Sequence, residues 1–177
     1  MRKHNGMRPQ DVVVLLRILT FSTTTWQGKD LAASLLISPA EISDALRRCQ
    51  YARLLQADGR TVQQQALLWF LLHGLPYAFP AHPHDYVQGL PTAWSALPEL
   101  SRLRSSSEPA YVWPDPEGPA WGLSVSPLYP TTPSAARLDA GWHELLALVD
   151  VLRLGTLPQR EAAYELLSQR LLSHPVQ

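Results

Sequence analysis

Proline is spread unevenly along this chain, and that spread limits the architectures open to it. Of sixteen prolines, twelve fall between residues 75 and 133. Inside a helix, proline removes a hydrogen bond and clashes with the preceding turn; in a sheet it is confined to edges and bulges. The middle of the chain is therefore expected to hold short strands and turns, leaving long helices to the two ends. We accordingly divide it into two domains, residues 1–74 and residues 75–177. The fold class expected is α+β, with a small proline-rich β unit capped by a carboxy-terminal helical hairpin. Nearly half of the 177 residues are apolar, enough for a core of its own.

The amino-terminal part carries clear helix starts. Pro9 opens a helix to about Phe21, with Asp11 in its first turn and Val13, Val14, Leu16 and Ile18 wrapping it. It is apolar on more than one face, as a helix that closes a core or meets a second subunit would be. Next, Leu31, Ala32 and Leu35 lie three or four apart, the spacing of one helix face. Ser38 with Glu41 has the form of a capping box, and Pro39 falls at the first helical position, where its missing N–H costs nothing. Ile42, Ala45, Leu46 and Cys49 then mark the inward side of this second helix. Arg53 to Gln56 reads as a short strand, Asp58-Gly59 as a tight turn and Arg60 to Val62 as the return. Two short helices joined by three or four residues can place the second in a DNA major groove.

The run from Lys29 to Val62 resembles the winged helix-turn-helix of small bacterial transcription regulators, MarR-like in the broad sense. The matching positions are Leu31-Ala32, Ser38, Ile42-Ser43, Leu46-Arg47-Arg48, Leu54-Leu55 and Asp58-Gly59-Arg60. The resemblance implies a sequence-specific regulator, most simply a repressor, that binds double-stranded DNA. Ser38, Pro39, Ala40, Ser43, Asp44 and Arg47 make up the expected reading face. Arg47 is the candidate for a bidentate guanine contact, and Ser43 reaches a base or a phosphate. Arg48 borders that face and is expected to meet phosphate; Lys29 and Arg60 are phosphate or minor-groove candidates. Thr24 and Thr25 would add neutral phosphate contacts.

Charge distribution agrees with a two-part protein. Residues 1–74 hold nine Lys/Arg against five Asp/Glu, a net of +4, and residues 75–177 hold six against ten, a net of −4. Glu41 and Asp44 limit the affinity of one copy, so a homodimer that doubles the contacts is expected.

Beyond the hairpin, Gln63 to His73 is expected as a helix ending at Gly74, apolar nearly all round and so buried between domains or subunits. A weak repeat follows. Tyr77-Ala78-Phe79-Pro80 with Gly89-Leu90, and Tyr111-Val112-Trp113-Pro114 with Gly122-Leu123, each suggest a strand, a proline turn and a return strand. Ser101 to Ser107 would link the two copies. Trp142 to Leu154 and a segment from Thr156 to about Leu172 then read as the helical hairpin.

Signals for catalysis are sparse. The lone Cys49 excludes an intrachain disulfide and sits at an apolar helix position, which suits core packing. His82, His84 and Asp85 are weak zinc candidates, but their spacing matches no zinc signature. No Gly-rich phosphate loop, nucleophile elbow or carboxylate pair appears, so neither enzyme activity nor a cofactor is expected. The alternative to DNA reading is a protein-interaction adaptor or an antitoxin-like protein whose carboxy-terminal half holds a partner protein, with Trp94, Trp113, Trp121 and Tyr129 as possible anchors or core plugs. No apolar run reaches membrane length and no secretory pattern follows the start, so a cytoplasmic location without membrane contact is expected.

Overall fold

Five consecutive apolar residues, Val12 to Leu16, are all buried, so the first helix is covered on every side. The computed structural model describes residues 5–21, 25–103 and 107–172. Thr24, residues 1–4 of the basic start and residues 104–106 of the expected linker lie outside the described residues. Helix α1 (Pro9–Thr20) is followed by α2 (Gly28–Leu35) and α3 (Pro39–Tyr51). Both pack on α1, and its remaining side meets α7 (Ala140–Leu154) from the other half of the chain. That shared helix makes one apolar core of both halves.

Local chemistry explains how α2 and α3 are set. The Asp30 carboxylate accepts from the Gln27 N–H at 2.7 Å, fixing the start of α2. At its end Leu36 adopts a left-handed conformation, φ 56°, which turns the chain and lets Ile37 bury its side chain. A leucine there costs about 1 kcal/mol. Ser38 caps α3, its hydroxyl accepting from the Glu41 N–H at 3.3 Å. The reciprocal arm of the expected capping box is not formed: Glu41 takes the Ser38 hydroxyl at 3.1 Å instead of its backbone N–H.

After α3 the chain makes a minimal hairpin rather than two strands. One bridge joins Leu55 to Val62, flanked by Gln56 N–H to Thr61 O (2.8 Å) and Gln63 N–H to Leu54 O (2.9 Å). Asp58 holds the turn by accepting from the Thr61 hydroxyl and from the N–H groups of Arg60 and Thr61. The Thr61 bonds first of all, with the Arg60 N–H, keep its carboxyl below the usual range.

The helix after the hairpin does not stop at Gly74. α4 (Gln64–Trp69) runs through a π turn (Phe70–Gly74) into α5 (Leu75–Ala78), so the division at residue 74 falls inside a continuous helical run. Gly74 is needed there for closeness: a Cβ would lie 2.7 Å from the Phe70 ring. Tyr77-Ala78, expected as strand, is therefore helical, because Pro76 sits in a first turn where it is tolerated. Nor is the run buried all round. Leu67, Leu68, Leu71 and Leu75 face the core, while Trp69 and Tyr77 stay exposed.

Only the second copy of the expected repeat supplies two strands. β1 (Tyr86–Pro91), β2 (Tyr111–Pro114) and β3 (Ala120–Ser124) close on one another. The second half of β1 pairs antiparallel with β2 (Leu90 opposite Trp113), and its first half antiparallel with β3 (Val87 opposite Gly122). β2 and β3 then touch in parallel, so they are not the hairpin their spacing suggested. Closure requires glycine at the seam: a Cβ on Gly118 would stand 2.1 Å from the Gly89 backbone.

Two short 3₁₀ segments (Ala93–Ala96 and Pro98–Leu103) lie between β1 and β2 in the chain and α6 (Thr132–Ala136) follows β3, the first 3₁₀ segment packing on β2 and α6 on α2 and α7. α7 and α8 (Leu157–Leu172) form the expected helical hairpin, α7 against the first 3₁₀ segment, α5 and α1, and α8 against the second 3₁₀ segment and α4. Asp150 of α7 is buried and accepts from Thr92 Oγ1, Trp113 Nε1 (both 2.7 Å) and Arg153 Nη1 (2.6 Å). Arg153 also donates to the carbonyls of Phe79 and Ser126. One buried ion pair thus ties four separate segments to α7. Among the described residues no helix is long and apolar enough to cross a membrane.

Candidate nucleic-acid interface

The two sides of α3 differ sharply. Ile42, Ala45 and Cys49 are buried against α1 and α2. Burial pushes the Cys49 thiol far above its ordinary range, with the nearby Asp11 charge adding to the effect, so it is an inert core residue. Ser38, Pro39, Ala40 and Ser43 are exposed, and Asp44 and Arg47 are half-buried beside them. These six share one outer face, as the sequence spacing required.

Arg48 is not on that face. Its side chain is 3% exposed and donates through Nε and Nη2 to both oxygens of a fully buried Asp11, at 2.8 and 2.6 Å. The bond to Asp11 outweighs desolvation and raises the guanidinium further above its ordinary value. Arg48 follows Ala45 by three residues, which carries it inward, and Asp11 supplies the charge that makes burial tolerable. The expected phosphate contact from Arg48 is therefore corrected to a core ion pair.

Arg47 is engaged from two directions. Nη1 donates to the Asn5 side chain at 2.7 Å and Nη2 to Asp44 at 3.2 Å. Lys29 is exposed at the start of α2. Arg60 is exposed in the hairpin, where Nη1 donates to the Trp26 carbonyl at 2.5 Å and the guanidinium lies 5.5 Å from the Trp26 ring centre. Thr25 is also exposed.

The start of α3 has a neighbour that the sequence did not suggest. Tyr129, which precedes α6, donates its hydroxyl to Glu41 at 3.1 Å, and the Thr131 hydroxyl donates to the Leu35 carbonyl at 2.7 Å. Partial burial first, then the Glu41 carboxylate, raises the Tyr129 hydroxyl above its usual range. Eighty-eight residues separate Tyr129 from Glu41, and no local pattern marks such a pair.

The remaining candidates lie elsewhere. His82, His84 and Asp85 are exposed before β1, and among the described residues no group of three His, Cys, Asp or Glu side chains is arranged to hold a metal. Trp94 and Trp113 are buried, whereas Trp121 is 57% exposed and stacks beside Tyr86. No family model, no curated protein and no solved structure matches the chain.

Proposed function

We propose that this protein is a sequence-specific, double-stranded DNA-binding regulator of the winged helix-turn-helix kind, acting as a repressor. The observation that carries this reading is the outward side of α3. Pro39, Ala40 and Ser43 are exposed, and small side chains there let a helix approach base edges closely. In this reading α3 enters the major groove and Lys29 and Arg60 meet the backbone. Residues 75–177 hold α1 and α3 in place and serve dimerisation. A homodimer would double a modest set of cations and raise affinity accordingly.

A mobility shift on duplex from the protein's own upstream region tests it. Ala40→Glu puts a negative charge on an exposed helix position without touching the core. We expect a shift with the native protein that is lost in this variant while thermal stability is unchanged. A native protein that shifts no duplex would refute the proposal.

One observation favours a second reading. Glu41 and Asp44 lie at the start of α3, and Glu41 bonds to Tyr129. An acidic, partly engaged helix start suits a protein partner better than phosphate. An adaptor or antitoxin-like protein would retain a partner on affinity purification, and Ala40→Glu would not release it.

A further inference from the structure

Charge changes sign along the outside of α3. Its first turns carry Glu41 and Asp44, which repel phosphate. Its other end opens on a groove of about 740 Å³ between α3 and the hairpin, lined by Asn5, Arg47, Gln50, Tyr51, Arg53 and Gln63 among others. The volume lies within the range of ordinary ligand sites. Two guanidiniums, four side-chain amides and a phenol line it, and none of its lining residues is acidic.

Arg53 is the distinctive member. It is exposed and makes no ion pair among the described residues. It holds a left-handed backbone, φ 59°, where α3 ends and the chain turns toward Leu54. Around it the groove is braced: Gln50 Nε2 donates to the carbonyls of Gln56 and Ala57, and Asn5 holds Arg47. A pre-set frame with one uncommitted guanidinium suits an oxyanion that accepts two parallel hydrogen bonds.

We infer that this groove is a phosphodiester-binding site in which Arg53 supplies the unpaired charge, so nucleic-acid backbone is held at the end of α3 while its start does not touch phosphate. The inference rests on the DNA-binding reading for its ligand, and its test separates the two. Fluorescence anisotropy of the full-length protein on a retained duplex is measured from about 50 to 200 mM salt. Arg53→Gln should weaken binding several-fold on every duplex sequence and reduce the log–log salt slope by about one. Its melting curve should match the native one. If the native protein binds duplex and Arg53→Gln leaves the slope unchanged, the groove site is overturned and DNA binding stands. If the native protein binds no duplex, inorganic pyrophosphate is titrated by calorimetry. Saturable binding lost in Arg53→Gln then assigns the groove to free phosphates; no saturable binding overturns it. An oligoglutamate that displaces duplex or pyrophosphate at lower concentration than phosphate does overturns it too, since the site would then be one for acidic peptide.

Discussion

Replacing Arg48 with methionine separates a core role from a surface one. Methionine keeps most of the buried length and deletes the charge. Asp11 would then remain at zero exposure with the Arg8 N–H, 2.8 Å away, as the one hydrogen-bond donor left to its carboxylate among the described residues. Breaking a buried pair from one side costs about 3–5 kcal/mol. That is a large part of the 5–15 kcal/mol by which a domain is ordinarily stable. For a chain of this size each kcal/mol moves the melting temperature by about 2–4 °C, so a fall of roughly 6–20 °C is expected. Thermal and urea unfolding followed by circular dichroism measure it. Adding Asp11→Leu removes the stranded charge and should recover most of the loss, short of about 1 kcal/mol for the helix-start bond to Arg8. A single Arg48→Met variant that melts within about 2 °C of the native protein would refute the reasoning.

Asp150→Ala strands Thr92, Trp113 and Arg153 together in the core. We expect a loss of about 3–5 kcal/mol and a red shift of tryptophan emission; unchanged emission and stability would contradict the network. Burial would raise Asp139, but its bonds to Arg17 and to the Trp142 N–H prevail and hold it below the usual carboxylate range. A depressed carboxyl stabilises above its unfolded value, about 3.9, and that contribution is lost as pH falls through the folded value. The melting-temperature gap between native protein and Asp139→Asn should therefore close below about pH 4; a gap that widens on acidification would contradict this. Gly118→Ala cannot fit against Gly89 and should lower stability by about 3 kcal/mol, read as an earlier urea midpoint; a midpoint unchanged would show that the sheet is not closed there.

Helix starts were legible because their chemistry is local. Pro9, Pro39 and the Thr156/Gln159 pair mark helix starts in sequence and begin helices in space, with Gln159 accepting from the Thr156 N–H. The outer face of α3 followed from periodicity alone. Arg48 did not, since the pattern assigns a charged residue outward unless its partner is known, and Asp11 lies thirty-seven residues away. The apolar neighbours of Asp11 were the available hint. Tyr77 and Tyr111 stand in similar aromatic-proline runs, yet one is helical and the other strand, because Leu75 and Pro76 pack into the core and carry the first run into a helical turn. The parallel contact of β2 with β3 depends on β1 pairing antiparallel with both, which spacing cannot encode. Arg53 carries no mark in the sequence, because only the folded hairpin turns its position into the wall of a groove.

The most direct test of DNA reading by α3 is selection from a random duplex library by the full-length protein. Recovery of one shared motif, with Arg47→Ala relaxing preference at a single position, is the result predicted. Retained sequences with no common motif, or no retention above a protein-free control, would contradict it.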